Sequence, residues 1–356
     1  MRFVKACDLK KGMRIGRPIF NKRGELVFDR DRKISDADIV KIRSLKSMGI
    51  FTLDPAEPLP PVSEIGMEYE KQRFVNVYAL RDEMQEMQVL HRAHRIERIA
   101  GSIISSFGDI KRRIDFPQSI RSRDEYVCCH SVDVAILSTL LSNHLRVADS
   151  DKKALVYAAL LHDIGKYVVP DSILENETPE ETERMLFNAQ DIGFELIGNV
   201  LEDYHKVINT CIDAHRILRD HRFERKPNAE KPSLITKILV VADYFDSSTA
   251  IDATGGMVPN SYVGTLRRMR LYPEIFDMAV MEALEESIDI IKPGTTVLLN
   301  NNKQALVTAL SGADILRPTV LEVDTNQVYN LEEQKNRDLE IVDVINPFDN
   351  RHVVDR

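Results

Sequence analysis

From Glu125 to about Asp289 the sequence reads as one helix after another, with apolar residues recurring three and four apart. No other feature limits the fold as much. The spacing predicts helices over 125–146, 150–164, 179–201, 204–220, 232–250 and 273–290. Each carries an apolar stripe that must be covered, and neighbouring helices are the nearest cover. The expected fold is therefore mainly α, built around a helical bundle.

The flanks differ in kind. "MRIGRPIFNKRGELVFD" holds two apolar runs around Asn21-Lys22-Arg23-Gly24, a hairpin signal. "ISDADIVKIRSLKSMGI" reads as a short helix with Ser35 as N-cap and Gly49 closing it, and "FTLD" as a strand. This predicts a small N-terminal α/β unit. The Pro-rich stretch 54–63 reads as a linker, and 64–113 as long charged helical pattern, one helix or two, with a homodimer contact as one use for it. "GTTVLLNNNKQALVTALSGADILRPTVLEV" has short β-branched runs and Asn-rich turns, so a small C-terminal β-sheet subdomain is expected. The expected division is 1–60 as a regulatory or interaction unit, 61–120 as connecting helices, 121–292 as the helical domain and 293–356 as the β subdomain.

Composition excludes some functions. Net charge is −8 over 356 residues, which argues against a broad nucleic-acid-binding surface. No apolar run approaches the roughly 20 residues that cross a bilayer. Cys7, Cys128, Cys129 and Cys211 show no CxxC spacing and read as reduced thiols, so a cytoplasmic location is expected, with no membrane partner.

The polar residues on the inward stripes are more telling. His130 shares a face with Val127, Val134, Leu137 and Leu141; His162 with Leu155, Ala158 and Ala159. Asp163 follows Val156, Ala159 and Leu160 in the same helical register, and His215 lies with Ile208, Cys211, Ile212 and Leu218. Asp243 follows Ile235 and Leu239. One inward histidine is usually a satisfied core residue. A buried aspartate is costlier and needs a cation or strong hydrogen bonds. Asp243 also has a cap or turn reading within "DYFDSST", and Asp163 one near Gly165. Three histidines and two aspartates converging in one bundle satisfy each other best around a divalent metal, with iron, manganese or zinc suited to these donors. Lys166, one turn beyond His162, can hold a phosphate oxygen, or be a solvated lysine at a helix C-terminus.

With these residues in place, "LLHDIGKYVVPDSIL" and "ITKILVVADYFDSST" resemble the signatures of the HD superfamily of metal-dependent phosphohydrolases, and specifically its HD-GYP branch. The resemblance implies hydrolysis of cyclic di-GMP or a related nucleotide in bacterial signalling. It implies Fe or Mn as cofactor. His130, His162, Asp163 and Asp243 would hold the first metal, Asp163 would bridge to a second, and His215 would bind that second ion. Lys166 would contact phosphate, and Asp163 with Lys166 would be the catalytic pair. The chain departs from that pattern at several places. Ala189 stands where the branch has a histidine, His215 is followed by Arg216-Ile217 rather than His-Glu, Tyr126 replaces a glutamate, and the GYP tripeptide is missing. Arg216 is the candidate substitute cation for substrate binding. Two expectations follow. One is a metal-dependent phosphodiesterase; the other is a degenerate relative that binds a nucleotide or a partner protein without turnover.

Overall fold

The structure is a computed structural model. It describes all residues except 1, 46–48, 57–58, 60–62, 117–119, 122–124, 170–176, 202–203, 223–230, 253–259, 311, 313 and 346–356. Much of the expected linker at 54–63 lies outside the described residues.

The N-terminal unit is a small sheet with one helix. Strands β1 (Arg2–Lys5), β2 (Arg14–Ile15) and β5 (Gly49–Leu53) form an antiparallel sheet in the order β1-β5-β2, and β3 (Ile19–Phe20) pairs with β4 (Leu26–Phe28). The hairpin turns where expected: Asn21 Oδ1 accepts from the backbone of Arg23 and Glu25, and Gly24 takes φ +76°. Helix α1 (Asp36–Ser44) starts with a reciprocal capping box between Ser35 and Asp38. Gly49, expected to close this helix, instead opens β5; the helix ends at Leu45, whose N–H is taken by the preceding turn. Ile15, Phe28, Ile34, Ile42 and Ile50 make a core separate from that of the bundle.

Ser63 caps the 27-residue helix α2 (Glu64–Leu90), which ends where His91 turns left-handed at φ +51°. Helix α3 (Ile96–Phe107) follows. Its first amides are capped across the helix pair, because Glu83 Oε1 accepts from Arg95 N (2.8 Å) and Ile96 N (3.1 Å). The 64–113 pattern is thus two helices. Both turn apolar faces inward, Tyr69, Leu80, Met84 and Met87 from α2 and Ile99, Ile103 and Phe107 from α3.

Helix α4 (Tyr126–His144) is the axis of the bundle: every residue from Cys128 to Asn143 is buried. A helix buried on all sides must be surrounded. It is surrounded by α2, α3 and four more: α5 (Asp149–Leu161), the single turn α6 (Ile164–Tyr167), α9 (Leu234–Thr249) and α11 (Met278–Ser287). Helices α7 (Pro179–Val200) and α8 (His205–Arg222) close the side that bears α5 and α6. Two expectations need correction. The 150–164 helix breaks after Leu161, and the 273–290 helix shrinks to Met278–Ser287 because Asp277 caps it, accepting from Ala279 N and Val280 N. The Arg-rich helix α10 (Tyr262–Arg270) was not expected; its nine residues are too few to show a clear period.

A two-residue parallel pair, β6 (Ile120–Arg121) with β7 (Ile251–Asp252), ties the entry of α4 to the exit of α9. The last strands, β8 (Thr296–Leu299), β9 (Gln304–Ala309), β10 (Thr319–Glu322), β11 (Val328–Asn330) and β12 (Ile341–Ile345), form an antiparallel sheet in the order β11-β10-β9-β8-β12. Val297, Leu299, Ala305, Val307, Val320 and Ile341 alternate inward and join the helical core. The C-terminal sheet therefore shares the bundle's core, whereas the N-terminal unit keeps its own. The fold is mainly α with small β-containing pieces at both ends. No helix among the described residues is long and apolar enough to cross a membrane.

Candidate metal centre

The centre forms where α5 breaks. His162 N donates to Ala158 O (2.8 Å) and ends the helix; Asp163, at φ −106° and ψ 12°, leaves helical geometry; α6 then restarts the chain for one turn. The break has a cause next door. A Cβ on Gly165 would sit 2.5 Å from Gln190 Cα, and one on Gly193 would sit 2.5 Å from Gly165 N. The two glycines let α6 and α7 touch backbone to backbone. That contact turns Asp163 inward and brings Gln190 over it.

The two histidines arrive already oriented. His162 Nδ1 lies 2.8 Å from Ala159 O, an acceptor, so Nδ1 carries the proton. His130 Nδ1 lies 2.6 Å from Asp246 Oδ2, with the same consequence. Each Nδ1 is committed to an acceptor, and the two Nε2 atoms then face each other across 3.2 Å. Two carboxylates complete the group. His130 Nε2 is 3.2 Å from Asp243 Oδ1 and 3.5 Å from Asp163 Oδ2. His162 Nε2 is 3.6 Å from Asp243 Oδ2 and 3.8 Å from Asp163 Oδ1. Donor atoms of His130, His162 and Asp163 all lie within 4.8 Å of one another. Ligands about 2.1 Å from a shared ion lie roughly 3–3.5 Å apart, so these side chains fit a divalent metal with little movement.

Electrostatics point the same way. Burial disfavours the charged form of His130, yet Asp243 and Asp246 outweigh it and hold the imidazole up to about 10. Burial would raise Asp163, but Lys166, His162 and His130 pull it well below the usual carboxylate range. Asp243 is lowered as well, burial being overcome by His162 and His130. Both carboxylates thus stay ionised in a buried spot, held there by the cationic groups beside them, and a divalent ion would take the place of the extra His130 proton.

The other side of Asp163 is built differently. Lys166 Nζ donates to Oδ2 and Gln190 Nε2 donates to Oδ1, both at 2.6 Å, while Gln190 Oε1 accepts from Gly165 N at 3.1 Å. Lys166 is raised: burial lowers it, and Asp163 and Asp243 more than compensate. His215 packs between Phe187 and Phe194, with ring centroids at 5.3 and 5.5 Å. Burial drives it down to about 4, so this imidazole is neutral. It is near enough to feel Asp163 but is not in the cluster that gathers His130, His162 and Asp163. Arg216 is part-exposed, 3.9 Å from Asp213 Oδ1. Ala189, where the resemblance placed a histidine, is buried on α7.

Besides Gln190, three groups at the centre are not among those expected from the sequence. Asp246 lies three residues after Asp243 and so on the same helix face, which was a usable signal. Asp133 bears the same relation to His130, a carboxylate inside an apolar helix. Arg121 had no signal, being a lone arginine on a short strand. The signature residues 170–174 and the stretch 223–230, part of the region where the GYP tripeptide is missing, lie outside the described residues.

Residues 127–248 match the family model of the HD domain. A cyclic di-GMP phosphodiesterase of Pseudomonas aeruginosa is 24% identical over 249 residues, 66% of this chain and 56% of that protein. The 3'3'-cGAMP-specific phosphodiesterase 3 of Vibrio cholerae is 27% identical over 197 residues, 55% of this chain and 41% of that protein. The chain thus spans about half the length of the curated relatives it matches. No solved structure matches it.

Proposed function

We propose, from the premise that this chain carries an HD domain, that it is a metal-dependent phosphohydrolase of the HD-GYP type acting on a cyclic dinucleotide or related nucleotide. One observation carries the reading: two imidazoles whose Nδ1 protons are committed elsewhere aim their Nε2 atoms at each other across 3.2 Å, beside two carboxylates. The relatives' names supply the substrate class.

His130, His162, Asp163 and Asp243 are the proposed ligands, and Fe or Mn suits their nitrogen and oxygen donors. A divalent ion held there supplies Lewis-acid polarisation of a phosphoryl oxygen and a nucleophilic water at neutral pH. Asp163 and Asp243 offset its charge, while the buried walls of α4 and α9 keep bulk water out. Lys166 retains partial exposure, so its ammonium can turn a proton from Asp163 toward a phosphate oxygen. Arg216, at the surface of α8, is the proposed second phosphate contact. His215 is the donor left for a second ion, but Lys166 and Gln190 occupy the Asp163 oxygens on that side and Ala189 offers no ligand. A single resident ion is the proposed state.

Elemental analysis of protein purified without chelator, with chromatography of cyclic di-GMP digests, tests this. About one equivalent of Fe or Mn and accumulation of linear product are expected, both lost in Asp163→Ala. Metal without product on cyclic di-GMP, cGAMP or mononucleotide esters would leave the second reading, a nucleotide- or partner-binding relative; the Lys166 and Gln190 contacts favour that reading. Because α2 and α3 spend their apolar faces on the chain's own core, a homodimer through 64–113 would meet on charged faces and on exposed Val89 and Leu90. Sedimentation across a hundredfold concentration range checks it.

A further inference from the structure

A chain of buried polar contacts runs from helix α2 to the proposed metal ligand His130. Tyr69 Oη donates to Asp133 Oδ1 at 2.9 Å. Arg73 Nε donates to both oxygens of Asp133, at 2.8 and 3.1 Å. Arg121 Nη2 donates to Asp133 Oδ2 at 2.8 Å and to Asp246 Oδ1 at 2.7 Å. Asp246 Oδ2 then accepts the Nδ1 proton of His130 at 2.6 Å. The links are dry: the Arg121 side chain is 0% exposed and those of Asp133 and Asp246 are 1% and 4%.

Two guanidiniums face two carboxylates, so the charges cancel within the cluster. Arg121 also touches the end of the chain directly, its Nη1 lying 3.4 Å from His130 Nδ1. Asp246 divides its two oxygens between Arg121 and His130, and Asp133 divides its own among Tyr69, Arg73 and Arg121. Pulling Arg73 away leaves Asp133 to compete harder for Arg121, and Arg121 is what fixes Asp246. Polar networks in a low-dielectric interior couple in this way, and the group behind a metal-binding histidine sets its tautomer and ring orientation.

We infer that Arg73 and Tyr69 of α2 are positioning residues for the metal centre, acting through Asp133, Arg121 and Asp246 on the direction of the His130 Nε2 lone pair. The inference rests on the metal-centre reading above. It has a consequence for the N-terminal unit. Helix α2 is held to that unit by Arg17 with Glu70 (3.3 Å) and by Tyr78 Oη donating to Leu45 O (2.9 Å). A ligand or partner that shifts the unit against α2 therefore shifts the hold on His130.

The test uses the full chain, Mn²⁺ titration by calorimetry, and the His130 Nδ1 proton resonance in ¹⁵N-histidine-labelled protein. Arg73→Gln is expected to weaken Mn²⁺ about tenfold, the lower end of the effect of losing a group that orients a ligand, and to move that resonance. Tyr69→Phe removes a single hydroxyl, is expected to fold, and should move both readouts in the same direction by less. Met87→Ala loosens the same helix without touching the chain of contacts and should leave both unchanged. Unaltered Mn²⁺ affinity and resonance in Arg73→Gln and Tyr69→Phe, or an equal loss in Met87→Ala, would overturn the inference while leaving the metal reading intact. Failure of the unsubstituted protein to bind Mn²⁺ would remove the metal reading and the inference with it.

Discussion

The two sides of Asp163 show what separates a metal ligand set from its plugged counterpart. Toward α4 and α9, the groups facing it are Nε2 atoms of imidazoles whose protons are committed to Ala159 O and Asp246. Toward α7 they are proton donors, the Lys166 ammonium and the Gln190 amide, each 2.6 Å from a carboxylate oxygen. One side has imidazole nitrogens that a metal ion can claim by displacing the extra proton that Asp243 and Asp246 hold on His130; the other has donors that already give their protons to Asp163. The same carboxylate can thus be a ligand on one side and a satisfied hydrogen-bond acceptor on the other.

The hardest way to break this comparison is Asp163→Ala, which removes the group common to both sides. Losing a residue that merely orients a ligand costs about 10–100-fold in metal affinity, so losing the ligand itself is expected to exceed about 100-fold by Mn²⁺ calorimetry. Retained binding would mean that the imidazole side does not depend on Asp163. Asp246→Asn is next. It weakens the hold on His130 Nδ1 and leaves Arg121 short of a charge, so affinity should fall about 10–100-fold and stability by roughly 3 kcal/mol in urea unfolding. Normal affinity in that variant would detach the imidazole side from its support.

Smaller effects are expected across the divide. Gln190→Ala should cost about 1–3 kcal/mol, because Asp163 Oδ1 loses its partner; adding histidine at both positions, Ala189→His with Gln190→His, should raise bound metal from one equivalent to two. Two equivalents in the unsubstituted protein would show both sides to be alike already. His215→Phe should change least. A neutral ring between Phe187 and Phe194 is replaced by another ring, so a cost below about 1.5 kcal/mol and unchanged metal content are expected. Loss of metal on elemental analysis would place His215 among the ligands and dissolve the distinction.

How far these sites could be read beforehand depended on whether the cue was periodic or spatial. His130, His162, Asp163 and Asp243 stood out because each interrupts an apolar stripe, a local conflict visible in one dimension. Asp246 carries the same mark three residues after Asp243, and the cap or turn reading of "DYFDSST" hides it. Gln190 carried none: a glutamine on α7 becomes a partner for Asp163 only because Gly165 and Gly193 bring two backbones into contact. Arg121 was equally silent, and its role exists only where β6 meets β7 beside α4.

The amino-acid pattern by itself determined the helical class, the small sheets at either end and the residue types that could bind a metal. Periodicity and the cost of burying charge act residue by residue along the chain, so they can be read without a structure. The break of α5 at His162, the 3.2 Å approach of two Nε2 atoms, the separate core of the N-terminal unit and the merging of the C-terminal sheet into the bundle's core were decided by the tertiary structure alone. These depend on which helices meet and how closely. Packing of glycine faces and the pairing of buried charges settle that, between residues as far apart in the chain as Tyr69, Arg121 and Asp246.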